Sequence, residues 1–425
     1  MANSLRIRDK QVIWHPYTPQ KYMPDPIPIV KGDGTYIFDD EGNAYLDAIS
    51  SWWVTLHGHA HPYIAEKIYK QALTLEQVIF AGFTHEPAVL LAERLLKVLP
   101  GEFSRIFYSD NGSTATEVAL KMALQYWWNK GIQHRKKILA FNHSYHGDTF
   151  GAMSVSERSV FTLAFQEKLF EVQFVDIART ADVLQDLNWN EVACVIYEPL
   201  VQGAGGMLMY EPSALDAFLQ QCHAHGVICI ADEVMTGFGR TGRLFASDYL
   251  TEQPDIVCLS KGLTGGTMAL GVTACTQEIY EAFLEEDKLK TFFHGHSFTA
   301  NPLACAAALA SLDLLQEDDC QQRIQRISAQ HQAFAATLGS LFPAATKNIR
   351  CRGTLLAFEL VQGKDEYLNH ISREITVMAL SKGVYLRPLG NTVYLMPPYC
   401  ITEAELNQVY EVVTAIVATF QARSV

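Results

Sequence analysis

The amino-acid pattern of this chain predicts an α/β fold, a large domain on a mostly parallel sheet with a smaller α+β domain attached. The first observation behind this is a series of short, wholly apolar runs, "CVIYEP", "VICIAD" and "DIVCLSK", separated by stretches of helical periodicity. Strands apolar on both faces belong to a parallel sheet covered by helices on each side. The second is length: 425 residues exceed the size at which one hydrophobic core stops growing. The third is that each run ends in a charged residue, Glu198, Asp232 or Lys261, at the strand ends where α/β sheets bind ligands.

The elements follow in order. The first fifty or so residues, with prolines at 16, 19, 24, 26 and 28, predict irregular structure. "GTYIFDDEGNAYLDAIS" alternates around a DDEGN turn and predicts a hairpin. Beyond it, "EPAVLLAERLLKVLP" has apolar residues at helical spacing and stops at a proline. "RIFYS" predicts a strand, "TATEVALKMALQYWWNK" a long helix, "KKILAF" a strand and "SALDAFLQQCHAHG" a helix. After the alanine-rich helix "NPLACAAALASLDLL" come shorter strands, "LLAFEL", "VYLRPLG" and "TVYLMPP", and an amphipathic helix near 403–420. These changes divide the chain into an N-terminal segment 1–60 packing with the small domain, a large domain 61–318 and a small domain 319–425.

Composition narrows the function classes. Hydrophobic residues make up 49% and charged ones 19%, as in a globular protein with a sizeable core. A net charge of −13 argues against a nucleic-acid or polybasic membrane surface. No apolar stretch approaches a membrane span, and no apolar h-region follows the basic residues of "MANSLRIRDK", so a cytoplasmic protein is expected. The nine cysteines, without a CxxC pair and several inside apolar runs, argue against disulfides and structural zinc, and no metal is expected.

Lys261, at the mouth of an apolar strand and followed by Gly262, Gly265 and Gly266, raises the question of chemistry. A partly desolvated lysine loses its proton readily and attacks carbonyls, and pyridoxal phosphate offers such an aldehyde. That cofactor needs a carboxylate beside its ring nitrogen, for which Asp232 is the candidate; a helix N-cap is the ordinary alternative. Asn111-Gly112-Ser113-Thr114 precede a strong helix, as a phosphate site or an ordinary capping box. Tyr145, in "NHSYHGDTFGAMS", suits stacking on a flat ring or plain packing; Ser297 and Thr299 precede another helix as a second possible phosphate contact.

Taken together, and with "IADEVMTGFGRTGRLFA…PDIVCLSKGLTGG" as the most specific stretch, the sequence resembles the class III aminotransferases of the fold-type I pyridoxal phosphate enzymes over nearly its whole length. The resemblance implies Lys261 as the Schiff-base lysine and Asp232 as the pyridinium partner. It implies Gly112 and Ser113 on the phosphate, Tyr145 on the ring, and Ser297 with His296 arriving from the neighbouring subunit of a homodimer. "WHPYT" and "SSWWVTLHGH" are similar to the biotin-pathway branch of the class. There Tyr17, Trp52 and Gly295 would meet substrate, Tyr17 with a catalytic hydroxyl, and Arg387 of "YLRPLG" would take the carboxylate of the keto acid. Met235, where many class III members carry glutamine, is consistent with that branch; Ser297 departs from the threonine of some branch members and keeps the hydroxyl for the phosphate. The implied acceptor is 7-keto-8-aminopelargonate (8-amino-7-oxononanoate) and the implied donor S-adenosylmethionine, with lysine as an alternative donor. An aminotransferase for ω-amino acids or diamines using pyruvate or 2-oxoglutarate, and a non-catalytic binder of the cofactor, are the other readings.

Overall fold

In the computed structural model the described residues are 4–179, 187–362, 369 and 371–423. The N-terminal stretch contains more order than its prolines predict. Leu5–Val12 forms a helix, because "LRIRDKQV" contains neither proline nor glycine and ends before Pro16. Strands β1 (Ile29–Asp33), β2 (Tyr36–Asp39) and β3 (Ala44–Asp47) follow, and the predicted hairpin is the antiparallel β2–β3 pair with Ile37 opposite Tyr45.

The large sheet is assembled from β4 (Phe103–Ser109), β5 (Lys137–Phe141), β6 (Gln173–Val175) and β7 (Val192–Tyr197). A short hairpin, β8 (Val201–Gln202) and β9 (Leu208–Met209), stands outside it. β10 (Ile228–Asp232), β11 (Ile256–Leu259) and β12 (Gly271–Thr276) complete the sheet in the order β4-β12-β11-β10-β7-β5-β6. All neighbours pair parallel except those of β12, which runs against β11 and β4. Successive residues of β7 feed different cores. Cys194 and Ile196 pack with Ala115, Val118 and Ala119 of the helix Gly112–Asn129, whereas Val195 and Tyr197 join the cluster on the other face. Side chains alternate across a strand, so a strand apolar at every position needs a core on both sides.

The chain continues through the helices Pro302–Leu315 and Asp318–Leu341 to β13 (Thr346–Arg352), β14 (Leu355–Leu360), β15 (Val384–Tyr385) and β16 (Thr392–Leu395). β13, β14 and β16 form a small antiparallel sheet against which Asp318–Leu341 packs. β15 leaves it and pairs parallel with β3, Val384 opposite Leu46, so strand hydrogen bonds tie the first fifty residues to the last fifty. "VYLRPLG" therefore supplies only a two-residue strand, and Arg387 follows it with Pro388 barring further pairing.

Candidate active site

β7, β10 and β11 are parallel neighbours, so the residues at their carboxyl ends emerge side by side. Glu198, Asp232 and Lys261 accordingly line one cavity of about 720 Å³. Lys261 stands where β11 breaks into a turn, with φ +42°. A non-glycine residue adopts such a left-handed angle at a cost of about 1–2 kcal/mol. Its ammonium lies 4.6 Å from the centroid of Trp53, whose indole N–H donates to the Tyr394 hydroxyl at 2.8 Å. Burial draws the Lys261 pKa down to about 8, against the opposing pull of Asp232 and Glu198.

Asp232 is buried, and its Oδ2 is 2.7 Å from Nδ1 of the buried His146. The other oxygen accepts the Val234 N–H at 3.1 Å, so the carboxylate also serves the turn after β10. His146 Nε2 is buried without a hydrogen-bond partner among the described residues. Glu198 is buried beside this pair. It accepts the N–H of Tyr145 at 3.0 Å and that of Gly203 at 2.8 Å, and burial lifts its carboxyl to about 7, against the opposing influence of His146 and the two N–H groups.

At the opposite wall the helix Gly112–Asn129 begins. Asn111 caps it in a reciprocal capping box with Thr114, its side chain accepting the Thr114 N–H at 2.9 Å. The capping box expected of Ser113 or Thr114 with Glu117 is thus not formed: Asn111 is the cap, and Glu117 instead accepts the N–H groups of Gly151 and Ala152. The Asn111 cap leaves the first-turn N–H groups of Gly112 and Ser113 without helical partners, on residues that line the cavity. A Cβ on Gly112 would meet Val234 Cγ1 at 2.7 Å, so only glycine lets the backbone sit this close. Ser113 Oγ is 2.8 Å from Thr149 Oγ1 and accepts the Thr149 N–H at 2.9 Å, which fastens the loop carrying Tyr145 to the helix start.

A second cavity of about 270 Å³ shares Trp52, Trp53, Tyr145, Asp148, Ala204 and Lys261 with the first and adds Tyr17 and Arg387. The tandem tryptophans are not on a strand. Ser50–Trp53 is a kinked turn with positive φ at Ser50, Ser51 and Trp53, which sends Trp53 inward and leaves Trp52 44% exposed. The Arg387 guanidinium lies 5.0 Å from the Trp52 centroid, and no ion pair or hydrogen bond engages it among the described residues. Tyr17 packs edge-on to Trp52 and Phe161, its hydroxyl donating to Asp148 and standing 3.0 Å from that of Tyr145. Burial pushes the Tyr145 phenol far above its ordinary range, so it stays a neutral donor.

Gly295, His296 and Ser297 are not brought to this cavity. Ser297 is exposed, its carbonyl accepts from Gln77, and none of the three lines either cavity of their own chain. Sequence reasoning missed His146, Thr149 and Asp148 as site residues, although His146 and Asp148 stand within three positions of Tyr145 in "SYHGD". Among the described residues one trio, His223, Cys229 and Asp255, brings metal-ligand atoms within 4.8 Å of one another. His223 Nδ1 stands 2.7 Å from the Glu252 carboxylate and its Nε2 3.8 Å from that of Asp255. No helix among the described residues is long and apolar enough to cross a membrane.

The donor set fits pyridoxal phosphate. Gly112 and Ser113 offer free N–H groups to a phosphate, Asp232 a buried carboxylate to a ring nitrogen, and Lys261 an amine that deprotonates near neutrality to an aldehyde.

Comparisons with known proteins agree with this geometry. The family model described as "Aminotransferase class-III" matches residues 17–417. The adenosylmethionine-8-amino-7-oxononanoate aminotransferase of Synechococcus elongatus is 49% identical over 413 residues, covering 94% of this chain and 96% of that protein. The enzyme of the same name from Methanocaldococcus jannaschii superposes with a TM-score of 0.93 at 36% identity, covering 98% of this chain and 99% of that one. A PLP-bound amine transaminase from an uncultivated Pseudomonas species superposes with a TM-score of 0.89 at 30% identity, covering 96% and 99%.

Proposed function

This chain belongs to the class III aminotransferases, and from that premise we propose that it transfers an amino group from S-adenosylmethionine to 8-amino-7-oxononanoate in biotin biosynthesis. The observation that carries the choice of acceptor is Arg387, a guanidinium with no anionic partner among the described residues, across an aromatic cavity from Lys261. The acceptor's distant carboxylate fits that fork, its alkyl chain the faces of Trp52 and Tyr145, and its amine the hydroxyl of Tyr17. The names of the relatives carry the choice of donor.

Pyridoxal phosphate, when bound, supplies an aldehyde for the amine and a cationic ring that withdraws electrons from the reacting carbon. The protein's own residues do the rest. Gly112 and Ser113 hold the phosphate through backbone N–H groups. Asp232, fixed by His146, keeps a proton on the ring nitrogen, because a carboxylate accepts that hydrogen bond where a neutral amide would not compel it. Lys261 would hold the cofactor through its aldehyde carbon, and its Nζ, once freed by an incoming amine, would carry a proton to and from the substrate carbon. Its pKa of about 8 keeps a working fraction of free amine at neutral pH. The Trp53 ring covers one flank of the amine.

The second copy belongs to this reading. Gly295, His296 and Ser297 lie on a segment whose Phe293 and Phe298 are 72% and 63% exposed, with Phe83 at 63% elsewhere on the surface. A homodimer would cover such apolar surface and let Ser297 reach the partner's phosphate. Nine cysteines without a disulfide among the described residues support a reducing, cytoplasmic setting.

Purified protein given S-adenosylmethionine and 8-amino-7-oxononanoate should form the diamino acid, seen by mass spectrometry. Transfer from ω-amino acids or diamines to pyruvate, with none to 8-amino-7-oxononanoate, would overturn the proposal.

A further inference from the structure

Glu198 has no part in the chemistry above, yet it is 5% exposed at the floor of the cavity. Its carboxylate is divided between two loops. Oε1 accepts the N–H of Tyr145 at 3.0 Å, and Oε2 accepts that of Gly203 at 2.8 Å. Each loop forms a wall of the site, one through Tyr145 and the other through Ala204, and both residues line both cavities. The second loop has no slack. A Cβ on Gly203 would meet Met235 Sδ at 2.5 Å and Trp53 Cζ3 at 3.1 Å, and one on Gly205 would meet the His143 carbonyl oxygen at 2.0 Å.

We propose that Glu198 is a positioning residue that sets the Tyr145 ring against the cofactor, by using both carboxylate oxygens to pin the Tyr145 loop to the 203–205 loop. The proposal rests on the aminotransferase reading. An ionised carboxylate accepts at both oxygens; a protonated one turns one oxygen into a donor facing an N–H, and the clamp loses a bond. The titratable groups facing Glu198 are His146 from the loop after β5, Asp232 from β10, Lys261 from the loop after β11, and Tyr210, whose hydroxyl donates to the Glu198 carbonyl. Burial raises its carboxyl to about 7, so the clamp is complete above neutrality and lost as pH falls through about 7. The same shift makes the neutral acid the form that burial favours. Through this group the fold loses stability as pH rises from the ordinary carboxylate range to about 7, where the site gains order.

The test uses the holoenzyme and reads the near-ultraviolet circular dichroism of bound pyridoxal phosphate alongside kcat/KM across the neutral range. In the wild type the cofactor's ellipticity should fall through a one-proton step near 7 as pH is lowered. In E198Q, a near-isosteric change that keeps one acceptor, the ellipticity should stay at the low-pH level and the step should vanish. Above the step kcat/KM should be lower by about tenfold, the order of one hydrogen bond to a charged group. A wild-type ellipticity flat across the neutral range overturns the proposal, even should E198Q fail to fold. So does an E198Q holoenzyme that keeps the wild-type step, which would assign it to His146, Lys261 or Asp232. A protein that binds no pyridoxal phosphate refutes the aminotransferase reading instead, and shows no cofactor ellipticity at all.

Discussion

The floor of the site and its mouth are built by opposite means. At the floor, Glu198, Asp232 and Lys261 stand at the ends of three adjacent parallel strands, and backbone pairing alone brings them together. At the mouth, Tyr17, Trp52, Tyr145, Phe161 and Arg387 come from five separate stretches of chain. They meet only because β15 pairs with β3 and the loop after β5 folds across the cavity. A floor made this way is rigid and suits chemistry common to a whole class. A mouth held by ring edges, one guanidinium stack and a few hydroxyls can be revised residue by residue, which suits substrate choice.

Substitutions can break this comparison, and the largest effect is expected at the floor. Lys261→Ala should bind pyridoxal phosphate, visible in its absorption spectrum, and show no steady-state amino transfer above a contamination control. Turnover by that variant would remove Lys261 from the proton path. Asp232→Asn should slow the proton-transfer step by roughly 10²–10⁴-fold in single turnover, the scale of a lost acid–base contribution. A rate near wild type would mean that another group keeps the ring nitrogen protonated.

At the mouth the effects should be smaller and selective. Arg387→Ala should raise the concentration of 8-amino-7-oxononanoate needed for half-saturation by roughly tenfold to 150-fold, for one charged hydrogen bond of about 1.5–3 kcal/mol. The cofactor spectrum should not change, since Arg387 lines the outer cavity and not the inner one. An unaltered dependence on the acceptor would reduce Arg387 to a packing residue. Tyr17→Phe keeps the ring contacts with Trp52 and Phe161 and removes the hydroxyl that donates to Asp148. The loss in kcat/KM should be about fivefold, one ordinary hydrogen bond. A loss as deep as that of Asp232→Asn would erase the distinction between floor and mouth.

The smallest expected effect sharpens the comparison without turnover. Because the folded-state pKa of Lys261 is lowered from 10.5 to about 8, the native cofactor-free protein binds fewer protons than the unfolded chain between those values. Its stability should therefore rise with pH across that window. Denaturant melts of cofactor-free wild type and Lys261→Met, in which the gain disappears, would check this; equal slopes for both would show that Lys261 is not desolvated.

By itself the sequence determined the elements and the floor. Apolar runs of strand length needed two cores, helices between them supplied the cover, and a charged residue at each run's end had to emerge at the sheet's carboxyl edge. The sequence also announced Gly112 and Ser113, since Asn111 and Thr114 mark a helix start whatever the tertiary context. Tertiary structure alone decided three things. One was the His146–Asp232 contact, for a histidine one position past Tyr145 acquires its partner only when two strand-end loops meet. Another was where the first fifty residues dock, because β3 and Tyr17 are held by contacts with segments more than a hundred residues away. The last was the kinked turn Ser50–Trp53, whose positive φ angles send Trp53 inward and leave Trp52 at the mouth. Local pattern reports what each segment must bury or expose, and long-range pairing decides which exposed groups face one another.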